Sequence, residues 1–372
     1  MTLPADRSTQ VLQNLLTALP QEERDQIALM ERVKSRVLRT HDRDGVANAA
    51  FTFLLRDLVT RVDPTRPLGP GNRMETRALV VTGRTGAGKS SLLSRMFANH
   101  PGFTGYGIPH SQCPAITIGT PSPCTPKALG LEILRALGYP MSASRTQAYI
   151  FSMVRERLQQ RGILALHLDE VHNVLENASE RDVREIRKVF KTFMASDAWP
   201  VVLVLSGLPQ IASFFEGLAE TDDDGQTRAD TKGEVRRRSQ FIHLRSLSLP
   251  GDIAMVFAAL QDIASVTGLS FATNIKSEVV PRLIHAGMLE LGTTLQLTHE
   301  AIGNAIAANA QQLNIQHFAR AYQARTGCAD SVNPFIAIRW EALDCTLVLK
   351  KTQAEAEAAS HALELRNARK LR

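Results

Sequence analysis

Between residues 78 and 247, short apolar runs alternate with longer amphipathic stretches, a pattern that predicts a parallel sheet with helical crossovers. The runs Ala78–Thr82, Ala115–Ile118, Ile163–Leu168, Val201–Leu205 and Phe241–Leu247 read as five strands. Between them, Thr125 can cap a helix with Pro126 at its first position, and Gly138 with Pro140 ends it. A further helix runs from about Arg145 to Gln160, with Ile150, Val154 and Leu158 on one face. Val183, Ile186, Val189, Phe190 and Phe193 mark another.

After Pro250 the strand pattern stops, and helices are expected near 251–267, 273–286, 294–311 and 315–325. Residues 1–60 also read as helical. Val11, Leu12, Leu15 and Leu16 recur at helical spacing, and Glu31–Leu38 begins a basic stretch with Arg32, Lys34, Arg36 and Arg39. Pro64, Pro67, Gly69, Pro70 and Gly71 make a turn-forming linker. The expected organisation is a helical segment and linker over 1–74, an α/β domain over 75–249, a helical domain over 250–328 and a basic tail over 329–372.

Composition changes this picture little. A 44% hydrophobic and 22% charged chain is that of an ordinary globular protein, which excludes disorder as its main state. No apolar run approaches the ~18 residues of a membrane span, and Met1–Arg7 lacks the basic start and apolar core of an export signal, so a cytoplasmic protein without membrane contact is expected. Cys113, Cys124, Cys328 and Cys345 show neither C-x-x-C pairing nor zinc spacing and read as buried free thiols. The net charge of +6 favours a polyanionic partner.

The chemistry starts at Gly83-Arg84-Thr85-Gly86-Ala87-Gly88-Lys89-Ser90, with Ser91 following, between an expected strand and an expected helix. That context makes it a phosphate-binding loop: glycines let successive N–H groups face the phosphates, Lys89 adds a positive charge, and Ser90 Oγ can ligate Mg²⁺. ATP and Mg²⁺ are the expected cofactors. Asp169-Glu170 stand directly after the third strand; Asp169 can hold Mg²⁺ and Glu170 can orient and deprotonate an attacking water. His172 and Asn173 follow and can contribute.

With these motifs in order, residues about 75–325 resemble the initiator-like AAA+ ATPases, and among them the TniB/TnsC family of transposition regulators. The resemblance rests on Gly83–Ser90, on Leu168-Asp169-Glu170-Val171-His172-Asn173, on Ser206-Gly207-Leu208-Pro209 and on Phe318-Ala319-Arg320-Ala321-Tyr322. It implies a five-stranded parallel AAA+ sheet with helices on both faces, followed by an all-helical lid and preceded by a helical N-terminal segment.

The resemblance also implies roles. Ser206 stands where such ATPases keep a polar sensor near the γ-phosphate. One of Arg236, Arg237 and Arg238 would be the arginine finger that enters a neighbouring subunit's site. Lys127, Arg145 and Thr146 would reach double-stranded DNA without reading its sequence. A second sensor arginine is missing from Gly287–Thr294, and Arg282 is the nearest substitute. The implied activity is ATP-driven assembly of a ring or helical filament on DNA, linking a target-selector protein to a transposase, with hydrolysis to disassemble it. The alternative is a signalling or defence NTPase whose nucleotide state gates protein contacts without DNA.

Overall fold

The computed structural model describes residues 5–36, 41–60, 63, 65–67, 69, 72, 75–108, 111–176, 178–195, 199, 201–216 and 233–346. The end of the basic tail and, in the linker, Pro64, Pro70 and Gly71 therefore lie outside the described residues. The described chain forms two compact units, one made of 5–36 with 246–346 and the other of 41–245. Contacts thus divide the stretch 1–74, read in the sequence as one segment, between two units.

Helices α1 (Ala5–Ala18) and α2 (Gln21–Ser35) open the chain. The face of α1 that the spacing of Val11, Leu12, Leu15 and Leu16 defines is exposed. The second unit begins with α3 (Val46–Thr60), β1 (Ala78–Thr82), α4 (Lys89–Asn99) and β2 (Ala115–Gly119). It continues through α5 (Pro126–Ala136), α6 (Gln147–Gln160), β3 (Ala165–Asp169), α7 (Asn173–Glu176) and α8 (Glu180–Met194), and ends with β4 (Val202–Gly207), α9 (Ile211–Glu216), α10 (Gly233–Arg237) and β5 (Ser239–His243).

These five strands pair in the order β2-β3-β4-β1-β5, all parallel. A fully buried parallel sheet needs apolar residues on both faces; β1 supplies them from Ala78 to Val81 and β4 from Val202 to Leu205, and both strands are buried along their whole length. Their period of two splits the sheet between two cores. Val80, Leu166, Leu168, Leu203 and Leu205 pack with α5, α6 and α8, while Leu79, Val81, Val202 and Val204 pack with α3 and α4. The fifth strand begins and ends earlier than the apolar run Phe241–Leu247 suggests: Leu244 is buried in the sheet unit's core and Leu247 in the helical unit's.

The helical unit continues with α11 (Ile253–Ser265), β6 (Ser270–Phe271), α12 (Val280–Ala286), α13 (Leu291–Ala307), β7 (Gln312–Leu313) and α14 (Ile315–Thr326). It is not wholly helical, because β6 and β7 form a short parallel pair. Asn314 caps α14 by accepting from the Gln316 amide, and His317 reaches back to the Asn314 amide, a capping box. The chain does not become a tail at 329. Phe335 stacks on Phe318 at 5.7 Å between ring centres, Asn333 donates to the Ala319 carbonyl, and Cys345 is buried in the same core. All four cysteines are buried and unbridged. No helix among the described residues is long and apolar enough to cross a membrane.

Candidate nucleotide site

The carboxyl ends of β3, β4 and β1 lie side by side, because the chain leaves β1 for the sheet's far edge and returns through β2, β3 and β4. Such a reversal opens a crevice outside the strand ends. Gly83–Ser90 leaves the end of β1 there and runs into α4. Gly86 and Gly88 adopt φ of 82° and 87°, a left-handed backbone that costs a residue with Cβ about 1–2 kcal/mol. Gly83 is needed for space: a Cβ there would stand 3.0 Å from that of Ala87 and 3.2 Å from that of Leu244. Lys89 Nζ donates to the carbonyls of Gly83 and Arg84 at 2.8 and 3.0 Å, which holds the ammonium over the loop.

The loop is tied to the strand ends around it. The Gly83 amide donates to the Gly207 carbonyl, and the Val171 amide to that of Ser206. Ser90 Oγ donates to Asp169 Oδ2 at 2.7 Å. Ser206 Oγ donates to Asp169 Oδ1, which also accepts from the Glu170 amide at 3.0 Å. Burial alone would raise the Asp169 pKa. The hydrogen bonds from Ser206 and Ser90, helped by His167 and the Glu170 amide, outweigh it and hold the carboxyl below its ordinary value. Asp169 is thus an ionised, half-buried acceptor beside a hydroxyl.

Glu170 follows with φ of 56°, a left-handed conformation rare in a residue with a side chain, and is exposed at the crevice. Of the two residues the sequence sets beside it, Asn173 donates to the Thr120 carbonyl at 3.0 Å and so fastens this turn to the end of β2. His172 Nδ1 is buried and makes no hydrogen bond.

Two residues were not legible as site residues. Arg43, from the stretch before α3, donates to the Ala87 carbonyl at 3.2 Å and to the Arg245 carbonyl, clamping the loop from outside. Nothing in its local sequence marks it. His167, inside the apolar run of β3, bonds Ser206 Oγ at 2.9 Å and is 2% exposed. A lone polar residue in a buried strand was the available signal.

The remaining expected residues lie elsewhere. Arg236 and Arg237 end α10, and Arg238 precedes Ser239, which pairs with Ala78 at the amino end of β1. The glycine-rich loop leaves the other end of β1, about 13 Å away at strand rise. Arg238 pairs with Glu75 at 3.1 Å, and Arg237 lines a cleft with Phe53, Arg77 and Gln240. Gly130 and Ile150, near the starts of α5 and α6, are in close contact, and Arg157 late in α6 stacks at 4.1 Å on Tyr139 just past α5. The two helices therefore run in the same direction, and Lys127, Arg145 and Thr146 gather at their starting ends. Thr146 caps α6 by accepting from the Tyr149 amide, and Arg145 lies over the Tyr149 ring. Arg282 donates to the carbonyls of Pro334 and Ala337 and faces Trp340, so its guanidinium is engaged inside the helical unit.

The stretch that carries the loop, the acidic pair and Ser206 is similar to a known family. Residues 68–217 match that of bacterial TniB protein. Around this TniB-like stretch the fold is that of the initiator-like AAA+ ATPases. It is similar to Cdc6p from Pyrobaculum aerophilum, with 14% identity and a TM-score of 0.51 over 78% of this chain and 69% of that one. It is similar as well to the ADP form of Aeropyrum pernix ORC2, with 14% identity and a TM-score of 0.52 over 79% and 72%. A third is Aeropyrum pernix ORC1 in complex with DNA, at 14% identity and a TM-score of 0.51 over 78% and 66%. At such identity the likeness is one of fold. No curated protein matches the sequence.

Proposed function

We propose that this TniB-like chain is an ATPase that assembles on double-stranded DNA in its ATP state, connects a target-selecting protein with a transposase, and comes apart on hydrolysis. The observation that carries the ATPase part is the joining of Ser90, Asp169 and Ser206 at the mouth of the loop. The residues fit a Mg²⁺–nucleotide. Ser90 Oγ and Asp169 Oδ2 are paired hard oxygen donors of the kind Mg²⁺ prefers. The glycine-lined loop and the start of α4 offer amides to phosphate oxygens. When bound, the ion neutralises charge on the phosphates.

The chain's own groups have separate tasks in this reading. Lys89 holds the β- and γ-phosphates, Glu170 orients and deprotonates water, and Ser206 donates toward the γ-phosphate. One of Arg236, Arg237 and Arg238 completes a neighbouring copy's site. Lys127, Arg145 and Thr146 contact DNA phosphates; the +6 net charge and the joint placement of α5 and α6 support this. The family match supports transposition over other uses of the fold.

The test is DNA binding by the purified chain with ATP, ADP and no nucleotide, over a salt series, with electron microscopy of the products. ATP-dependent binding with rings or filaments is expected, and Lys127→Ala with Arg145→Ala should flatten the salt dependence. Binding indifferent to nucleotide, with no assembly, would sink the DNA part and favour nucleotide-gated protein contacts.

A further inference from the structure

A line of hydrogen bonds crosses the sheet behind the nucleotide site. Tyr106 OH bonds Thr117 Oγ1 at 2.6 Å, Thr117 Oγ1 bonds His167 Nδ1 at 3.0 Å, and His167 Nε2 bonds Ser206 Oγ at 2.9 Å. Ser206 Oγ then reaches Asp169 Oδ1, and Ser90 meets the other oxygen of that carboxylate. The parallel register sets Thr117 directly opposite His167 on neighbouring strands. Ser206 is wholly buried.

Elementary donor counting fixes the direction of this line. An ionised carboxylate only accepts, so the hydrogen between Ser206 and Asp169 belongs to Ser206. A hydroxyl has one hydrogen, and that one is now used. The hydrogen between Ser206 and His167 must therefore sit on Nε2. With its hydrogen on Nε2, the imidazole offers Nδ1 as an acceptor, and Thr117 Oγ1 stands 3.0 Å from it. Thr117 gives its hydrogen to Nδ1 and accepts from Tyr106. Every donor in the line faces toward the nucleotide end.

Resting on the reading of this site as an ATPase, we propose that His167 is a positioning residue for hydrolysis that acts through Ser206. Its Nε2–H takes one lone pair of the Ser206 hydroxyl and cannot accept, so the hydroxyl keeps its one hydrogen for the crevice side. A hydroxyl of that kind is matched to anionic oxygens, a carboxylate or a γ-phosphate, and mismatched to a group that donates. Without His167 the hydroxyl is free to turn about its bond and accept instead. The neighbouring positions on β3 are Leu166 and Leu168, so packing alone asks for an apolar side chain here. A buried imidazole is costly unless both nitrogens are bonded, and here both are.

The test compares ATP turnover by the full chain as wild type, His167→Phe, His167→Gln, Ser206→Ala and the double variant His167→Phe with Ser206→Ala. His167→Phe should lower kcat about ten- to a hundredfold, the range found when groups behind a metal ligand are removed. The KM for ATP should stay within about twofold, since the lost interaction belongs to the transition state. His167→Gln, whose side-chain NH₂ can reach Ser206, should recover part of the loss. In the Ser206→Ala background, His167→Phe should cost nothing further. Unchanged kcat in His167→Phe, or an equal loss in both backgrounds, overturns the proposal. A second measurement needs no turnover: the two-bond ¹H–¹⁵N spectrum of histidine-labelled wild type, where the buried ring of His167 is assigned by the signal missing in folded His167→Gln. A ring protonated at Nε2 supports the assignment, and one protonated at Nδ1 overturns it. A wild type that hydrolyses no ATP would count against the ATPase reading, while the tautomer still decides the direction of the Ser206 bond.

Discussion

Ser90 Oγ donates to Asp169 Oδ2 at 2.7 Å, so the glycine-rich loop is closed onto the end of a strand 79 residues away in the chain. The bond sets the two oxygens side by side, as the proposed Mg²⁺ site requires, and Glu170, the next residue, is exposed at the crevice.

Glu170→Gln keeps the size of this residue but removes the proposed base. Nucleotide binding should persist while kcat falls about 10²–10⁴-fold, the usual contribution of a positioned base. Equilibrium binding of a fluorescent ATP analogue beside steady-state turnover checks both halves. Turnover equal to wild type would remove Glu170 from the mechanism.

The three arginines before β5 lie at the amino end of β1, away from their own loop. A chain with Arg236, Arg237 and Arg238 all changed to Ala, and a second chain carrying Lys89→Ala, should each be nearly inactive. Mixed, they should hydrolyse ATP faster than the sum of the two alone, since one supplies the loop and the other the arginines. Strict additivity in the mixture would mean that the arginines do not act between copies.

Gly287→Ala tests packing in the helical unit. A Cβ at Gly287 would stand 2.3 Å from Thr294 Oγ1 and 3.0 Å from the Thr294 amide nitrogen. Thr294 cannot easily yield, because its hydroxyl donates to the Glu290 carbonyl at 2.8 Å. Overpacking of this kind costs about 1–3 kcal/mol, which should appear as an earlier urea midpoint.

His299 on α13 gives a pH prediction. Burial, and then the charge of Lys34, lower its pKa from the ordinary 6.5, with Glu300 opposing. Below 6.5 the unfolded chain takes up a proton that the folded chain resists, so this contribution is complete above that value and is lost as pH falls. Urea midpoints at pH 7.5 and 5.5 should therefore differ less in His299→Gln than in wild type. Equal differences would assign the titration to other groups.

How much of this was legible in the sequence depends on how far each feature reaches along the chain. The loop at Gly83–Ser90 and the strand before it are local, and their chemistry follows from neighbouring residues alone. Asp169-Glu170 needed only the apolar run in front of them. Ser206 was placed by analogy with a fold, and its partner Asp169 became visible once β3 and β4 were neighbours. His167 escaped because its meaning depends on two further strands at once. Thr117 lies on one side of it and Ser206 on the other, and no spacing rule joins those positions. The apolar run ending at Leu247 misled for a related reason: adjoining leucines can serve separate cores. The boundary at 328 failed similarly, since Phe335 and Cys345 are ordinary residues whose burial depends on helices formed much earlier in the chain.

The separation of the arginines from the phosphate loop has a geometric outcome. If copies complete one another's sites, each gives at one end of its sheet and receives at the other. A two-fold pair presents the same patch on both partners and cannot meet both needs. Growth would then be head to tail, and any open assembly would carry one terminal copy whose loop meets no arginines. That last copy would hold its ATP longest, giving the polymer a slow end and a fast end.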